Sequence, residues 1–240
     1  QIIQVSSNIG TVKLSENIGS KNLYDTLKNF GFGERTGIDC PGETAGMLSP
    51  YQRWTKIDNA AIAFGQGISV SAIQLITAVS AIANDGILMK PYVVQAITDK
   101  NGAMIEKFNP QSVRRAVSPE TAEAIRKMMA MVTEQGGTGT KAAIEGYKVG
   151  GKTGTAQKID ENGTYARGKY LSSFVGFVPV ENPEAAILVM IDEPQKAHYG
   201  GVVAAPVFKK IALQTLNFMN IPPDGKTEHL TAKRQGEVKG

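Results

Sequence analysis

Three apolar runs in the second half of the chain, residues 147–159, 171–178 and 185–192, are joined by connections built from turn residues. The first connection carries Asp160-Glu161-Asn162-Gly163, and the second runs from Pro179 to Pro183. A parallel strand pair needs a crossover of about a dozen residues or more, usually a helix, and neither connection has a helical pattern. The three runs therefore predict an antiparallel sheet. An amphipathic helix over residues 202–218 follows, with Pro206 tolerable in its first turns and Pro222-Pro223 marking its end.

The first half reads differently. Residues 20–30 place Leu23, Leu27 and Phe30 on one helical face before Gly31. Residues 31–50, punctuated by glycine and proline but never free of apolar residues, read as ordered loop. Residues 71–84 are apolar around most of a helix, which predicts enclosure on most sides. Two short runs flank Asp99-Lys100-Asn101-Gly102, a hairpin signal, and a helix begins at Ser118 as N-cap with Pro119 in its first position and runs on to Gly136. The expected class is α+β, an antiparallel sheet flanked by helices plus a mainly helical subdomain, over residues 1–220, with 221–240 as a polar tail or linker.

Composition narrows the chemistry. With 42% apolar and 20% charged residues the chain is globular rather than disordered. A net charge of +4, with no basic cluster interleaved with aromatics, argues against nucleic acid as a partner. One cysteine, Cys40, and two separated histidines supply neither a zinc site nor an internal disulfide, so no metal and no cofactor is expected, and Cys40 is expected as a small packed side chain. No run approaches the roughly 18 apolar residues of a membrane span. Lacking an initiator methionine, the chain reads as a piece of a longer protein.

Gly146-Tyr147-Lys148-Val149-Gly150-Gly151-Lys152-Thr153 spells the phosphate-loop pattern G-x-x-x-x-G-K-[ST], and Asp192 closes an apolar run as a magnesium-holding acid would. A P-loop nucleotide hydrolase also needs a helix beginning at the lysine, with its N-terminus facing the phosphates. Here Gly154, Thr155 and an early turn at Asp160 leave no room for one. Placed on a strand, the same residues alternate: Thr153 and Thr155 point to one side and Lys152 to the other. Two hydroxyls beside a cation suit a carboxylate. Gly154 leaves space for an extended ligand to lie alongside the strand, with the Thr155 N–H facing a developing oxyanion.

Val149-Gly150-Gly151-Lys152-Thr153-Gly154-Thr155-Ala156 resembles the K-T-G-T strand of the penicillin-binding proteins, and Ser6-Ser7-Asn8 resembles their S-x-N element. Further segments resemble the family in order: Gly31-Phe32-Gly33, Phe64-Gly65-Gln66-Gly67-Ile68-Ser69-Val70, Ser172-Ser173-Phe174-Val175-Gly176-Phe177 and Gly200-Gly201 before Ala204-Ala205-Pro206-Val207-Phe208. The wording is most similar to the class B, monofunctional branch.

The resemblance implies a fold shared with the serine β-lactamases, present here in part, and a peptidoglycan-cross-linking serine D,D-transpeptidase acting on D-Ala-D-Ala stem peptides and inhibited by β-lactams. It implies that Ser6 joins Lys152 in a proton relay and that Asn8 binds the substrate amide. Thr153 and Thr155 would hold the terminal carboxylate beside Gly154, and the Thr155 N–H would form half of an oxyanion hole. It further implies a protein anchored in the cytoplasmic membrane, with this domain on the outer face, working beside other cell-wall synthesis or division proteins. The family's nucleophile lies in an S-x-x-K element, and no lysine of this chain has a serine three residues before it. The expectation is thus the C-terminal portion of a transpeptidase domain whose N-terminal portion is absent, inactive alone, with a catalytically dead binding or scaffold domain as the alternative.

Overall fold

The computed structural model describes residues 1–224. Their contacts form two compact units, one of Ile2 with Ser7–Ile125, the other of Gln1, Ile3–Ser6 and the residues from Arg126 onward.

The first unit is mainly helical. Helix α1 spans Asn8–Asn29; Ser7 caps it by accepting the Gly10 N–H, and Gly19, at φ 77°, breaks it into two segments. The segment before Gly19 extends the helix expected at residues 20–30; its Gly10, Thr11 and Val12 are weak helix formers, which concealed it. Helix α2, Lys56–Ala63, was also not anticipated, although Thr55 and Asp58 close a capping box at its start. Helix α3, Ala72–Ala83, begins at a second capping box between Ser71 and Gln74. The Gln74 carboxamide is buried and also donates to the carbonyls of Glu34 (2.7 Å) and Ala45 (2.8 Å), which pins the loop over residues 31–50 to the helix. Enclosure of α3 is less complete than expected: Ala78, Val79 and Ala81 are buried, whereas Ile73, Leu75 and Ile76 are half-buried.

Strand β1 (Ile87–Met89) follows, then the expected hairpin of β2 (Ala96–Thr98) and β3 (Met104–Lys107), with β4 (Ser112–Arg115) returning antiparallel to β1. Asp99 closes the hairpin turn by accepting the N–H groups of Asn101 and Ala103. Cys40 is exposed, not packed, in the turn between Asp39 and Gly42, where an open turn offers no core to enter. Helix α4, Pro119–Ala130, carries the chain into the second unit.

The second unit is built on β5 (Gly150–Ile159), β6 (Tyr165–Val178) and β7 (Ala185–Asp192), antiparallel in the order β5-β6-β7. The short α5 (Gly200–Val203) leads into α6 (Ala205–Phe218), whose Phe208, Ala212 and Leu216 pack on Phe174, Val178 and Val189 of the sheet. The Phe174 and Phe208 rings meet edge-on with centroids 4.8 Å apart. A Cβ on Gly150 would fall 2.5 Å from the Phe177 ring, and one on Gly151 2.4 Å from that of Phe174. The paired glycines thus admit two core aromatics and form no phosphate cradle.

Of residues 221–240, the first four are fastened to this unit. Tyr147 donates to the Ile221 carbonyl at 2.7 Å, and Asp224 accepts the Lys148 N–H through Oδ2 while giving its own N–H to Gly146. The rest of the expected tail lies outside the described residues. No described helix is long and apolar enough to cross a membrane.

Candidate active site

Lys152 lies within β5, opposite Val175 of β6, and no helix starts at or after it in the run that spells the phosphate-loop pattern. That run is extended, as the strand reading requires, and the nucleotide-hydrolase alternative falls with it.

The Lys152 ammonium is half-buried and donates to Ser6 Oγ at 2.7 Å and to the Thr153 carbonyl at 2.9 Å. Burial holds its pKa below the ordinary lysine value of 10.5, because desolvation penalises the charged form. Ser6 adopts φ 54°, a left-handed conformation rare for serine. A residue kept in such a sparsely populated region is held by its surroundings. Here Val5 and Ser6 donate their N–H groups back to the carbonyls of Gln1 and Ile3, and the Gln4 carbonyl accepts the Thr138 N–H.

On the opposite side of β5, Thr155 Oγ1 accepts the Gly200 N–H at 3.1 Å, and Thr153 Oγ1 lies 2.9 Å from Thr138 Oγ1. Both threonines therefore face the loop at residues 136–139 and the start of α5. Gly200 is fixed in turn: a Cβ there would fall 2.1 Å from the Ser173 carbonyl and 2.4 Å from that of Gly154. The buried Ser172 hydroxyl anchors the approach by donating to the His198 carbonyl, and the His198 ring stacks on Tyr170 with centroids 4.3 Å apart. Gly154 is itself small for a reason within the sheet, since a Cβ at that position would lie 2.4 Å from Ser173 Oγ on the facing strand.

Ser6, Lys152, Thr153, Gly154 and Thr155 are thus gathered in one unit. Asn8, the first residue of α1, is exposed and belongs to the other unit, where its carbonyl accepts the Thr11 hydroxyl. The contacts that hold the threonine hydroxyls, from Thr138 and Gly200, are not legible in sequence, although Gly200-Gly201 belongs to a segment that resembles the family. Gly136-Gly137-Thr138-Gly139 is legible as a loop, but its contact with Thr153 exists only once the loop folds onto the strand. Among the described residues β5 pairs with β6 alone, so its other edge is available to an extended ligand.

Comparison with known proteins places this arrangement. The family model described as the penicillin binding protein transpeptidase domain matches residues 1–213. The chain is 43% identical over 233 residues to the probable peptidoglycan D,D-transpeptidase PenA of Neisseria meningitidis, covering 96% of this chain and 37% of that protein. It is 40% identical over 228 residues to the stage V sporulation protein D of Bacillus subtilis, covering 93% and 34%. Among solved structures, penicillin-binding protein 3 of Mycobacterium tuberculosis in complex with aztreonam superposes with a TM-score of 0.85 at 37% identity, covering 92% of this chain and 51% of that one. The chain thus spans little more than a third of these curated relatives and about half of that solved structure. A match over most of its length, together with a lysine and two threonines on one edge strand and a serine held against that lysine, shows that the chain belongs to the penicillin-binding protein transpeptidase family.

Proposed function

We propose that this chain forms the substrate-gripping part of a peptidoglycan-cross-linking serine D,D-transpeptidase. The observation that carries the proposal is the 2.7 Å contact between the Lys152 ammonium and Ser6 Oγ, on the same open-edged strand as two threonine hydroxyls. A D-Ala-D-Ala stem peptide lies along β5 with its terminal carboxylate on Thr153 and Thr155, in the positive potential of Lys152. The Thr155 N–H donates to the oxyanion as the carbonyl is attacked. Ser6 and Lys152 relay the proton from the nucleophile to the leaving amine, a task that suits a lysine whose pKa burial has lowered. Asn8 takes its role, a hydrogen bond to the substrate amide, from the motif alone.

No serine precedes a lysine by three residues in these 240 residues. The acylated serine, and the half of the oxyanion hole formed at its own N–H, therefore come from another segment of the protein. β-Lactams occupy the same site by imitating the peptide terminus, in line with the aztreonam and ampicillin complexes of the mycobacterial relative. The protein works on the outer face of the cytoplasmic membrane, anchored there, beside other cell-wall synthesis or division proteins. Incubation with a fluorescent penicillin tests this directly. The full-length protein becomes covalently labelled and loses the label when Lys152 is replaced by alanine, while residues 1–240 alone stay unlabelled. An unlabelled full-length protein overturns the proposal, as does a labelled isolated chain.

A further inference from the structure

Thr138 has no part in the reading above, yet it touches three of its components. Its hydroxyl lies 2.9 Å from Thr153 Oγ1, and its N–H donates at 3.2 Å to the carbonyl of Gln4, two residues before Ser6. Its carbonyl stands where a Cβ on Gly201 would fall, 2.2 Å away, next to the Gly200 that holds Thr155.

A threonine hydroxyl has one proton to give and two lone pairs to receive with. Thr155 Oγ1 already accepts from the Gly200 N–H, so its own proton is left for a ligand. An ionised carboxylate is an acceptor only. If Thr153 gave its proton to Thr138, it could offer a carboxylate nothing but lone pairs, and the two would repel. A carboxylate can therefore rest on Thr153 only when Thr138 is the donor of the pair.

We propose that Thr138 is a positioning residue for carboxylate recognition: with the anion bound, its hydroxyl donates to Thr153 Oγ1 and thereby directs the Thr153 proton at the ligand. The two O–H dipoles then point the same way, toward the negative charge, and each polarises the next. Thr153 and Thr155 become a matched pair, one backed by a backbone N–H and the other by a hydroxyl. The inference rests on the reading of this strand as the carboxylate site.

The test uses the full-length protein and two thioester substrates that differ only in the leaving group, one ending in a carboxylate and its twin in a carboxamide. Replacing Thr138 by valine keeps the shape and removes the donor. It should raise KM for the carboxylate substrate about three- to tenfold, the range one net hydrogen bond covers, and leave that for the carboxamide twin unchanged. Thr138→Ser should match the wild type, and Thr138→Ala, which removes the donor with a different side chain, should reproduce the valine result. Equal losses on both substrates would mark a purely structural role and overturn the proposal, as would a valine variant that behaves as wild type. A wild-type protein that forms no acyl-enzyme with penicillin would instead overturn the transpeptidase reading itself, and this proposal with it.

Discussion

Lys152 differs from Lys148, just before β5, and from Lys158, further along it, in what surrounds the ammonium group. Lys158 faces Asp192 and Glu193, and Lys148 faces Glu181; in both cases the hydrogen bond to the carboxylate, Glu193 and Glu181 respectively, is the largest of the influences that raise the lysine pKa. Lys152 has a hydroxyl and a carbonyl instead, and its burial lowers the pKa. A trace-label of acetic anhydride applied across a pH series reads each amine by the pH at which it becomes reactive. Lys152 should become reactive below 10.5, while Lys148 and Lys158 should do so above it; a common midpoint for all three would refute the assignment. The same scale holds a steric test. Because a Cβ at Gly154 would lie 2.4 Å from Ser173 Oγ, the rotatable end of that side chain, Gly154→Ala should cost about 1 kcal/mol or less in urea unfolding. Adding Ser173→Ala should recover part of that loss, whereas simple additivity of the two changes would show that the clash is not the cause.

Elements whose cause is local were legible before any coordinates. The Asn-Gly hairpin, the three strands of the main sheet and the start of α3 all depend on residues within a turn of one another. The β1-β4 pair was not legible: its strands are three and four residues long, and the hairpin of β2 and β3 lies between them in sequence. In the site, alternation alone separated Lys152 from Thr153 and Thr155, and the family motif supplied Ser6. The contacts from Thr138 and Gly200 link segments far apart in the chain, and no periodicity encodes them. Helix α3 separates a local contribution from a long-range one at a single terminus. Ser71→Ala removes one N-cap bond and should cost about 1 kcal/mol. Gln74→Leu also leaves the part-buried carbonyls of Glu34 and Ala45 without their donor, and each lost bond adds about 1 kcal/mol. Urea midpoints should therefore fall clearly further for Gln74→Leu than for Ser71→Ala, and equal shifts would mean that the loop over residues 31–50 is not held through this amide.

Across the chain, carboxylates fasten loops in both units, and they do so mainly through fixed N–H groups and a few ion pairs. Asp39 is held below its ordinary value of 3.8 by the N–H groups of Val94 and Val93, Asp58 by the N–H and hydroxyl of Thr55, and Asp160 by those of Thr164. Glu34 and Glu181 are held below 4.5, chiefly by hydrogen bonds from Lys28 and Lys148. A carboxyl whose folded pKa is depressed adds stability that is fully present above its unfolded value and is lost as pH falls through the folded one. Stability should accordingly stay level from pH 7 to about 5 and decline below about 4.5, where the unfolded chain begins to bind protons that the folded chain still refuses. Lys152 follows the same slope in an alkaline window: between its lowered pKa and 10.5 the unfolded chain holds the extra proton, so the cost of burying its charge at neutral pH is relieved as pH rises through that window. Salt distinguishes the two kinds of acid clasp. Ion pairs at the surface are screened at 1 M salt, where the Debye length is about 3 Å, but direct hydrogen bonds from N–H groups to Asp39, Asp58 and Asp160 are not. Urea midpoints measured at pH 7, 5, 4 and 3 should thus keep most of the acid decline in 1 M salt, losing only the part due to Glu34 and Glu181, and a decline that salt abolishes would mean that ion pairs, not backbone N–H groups, set the acid limit of this fold.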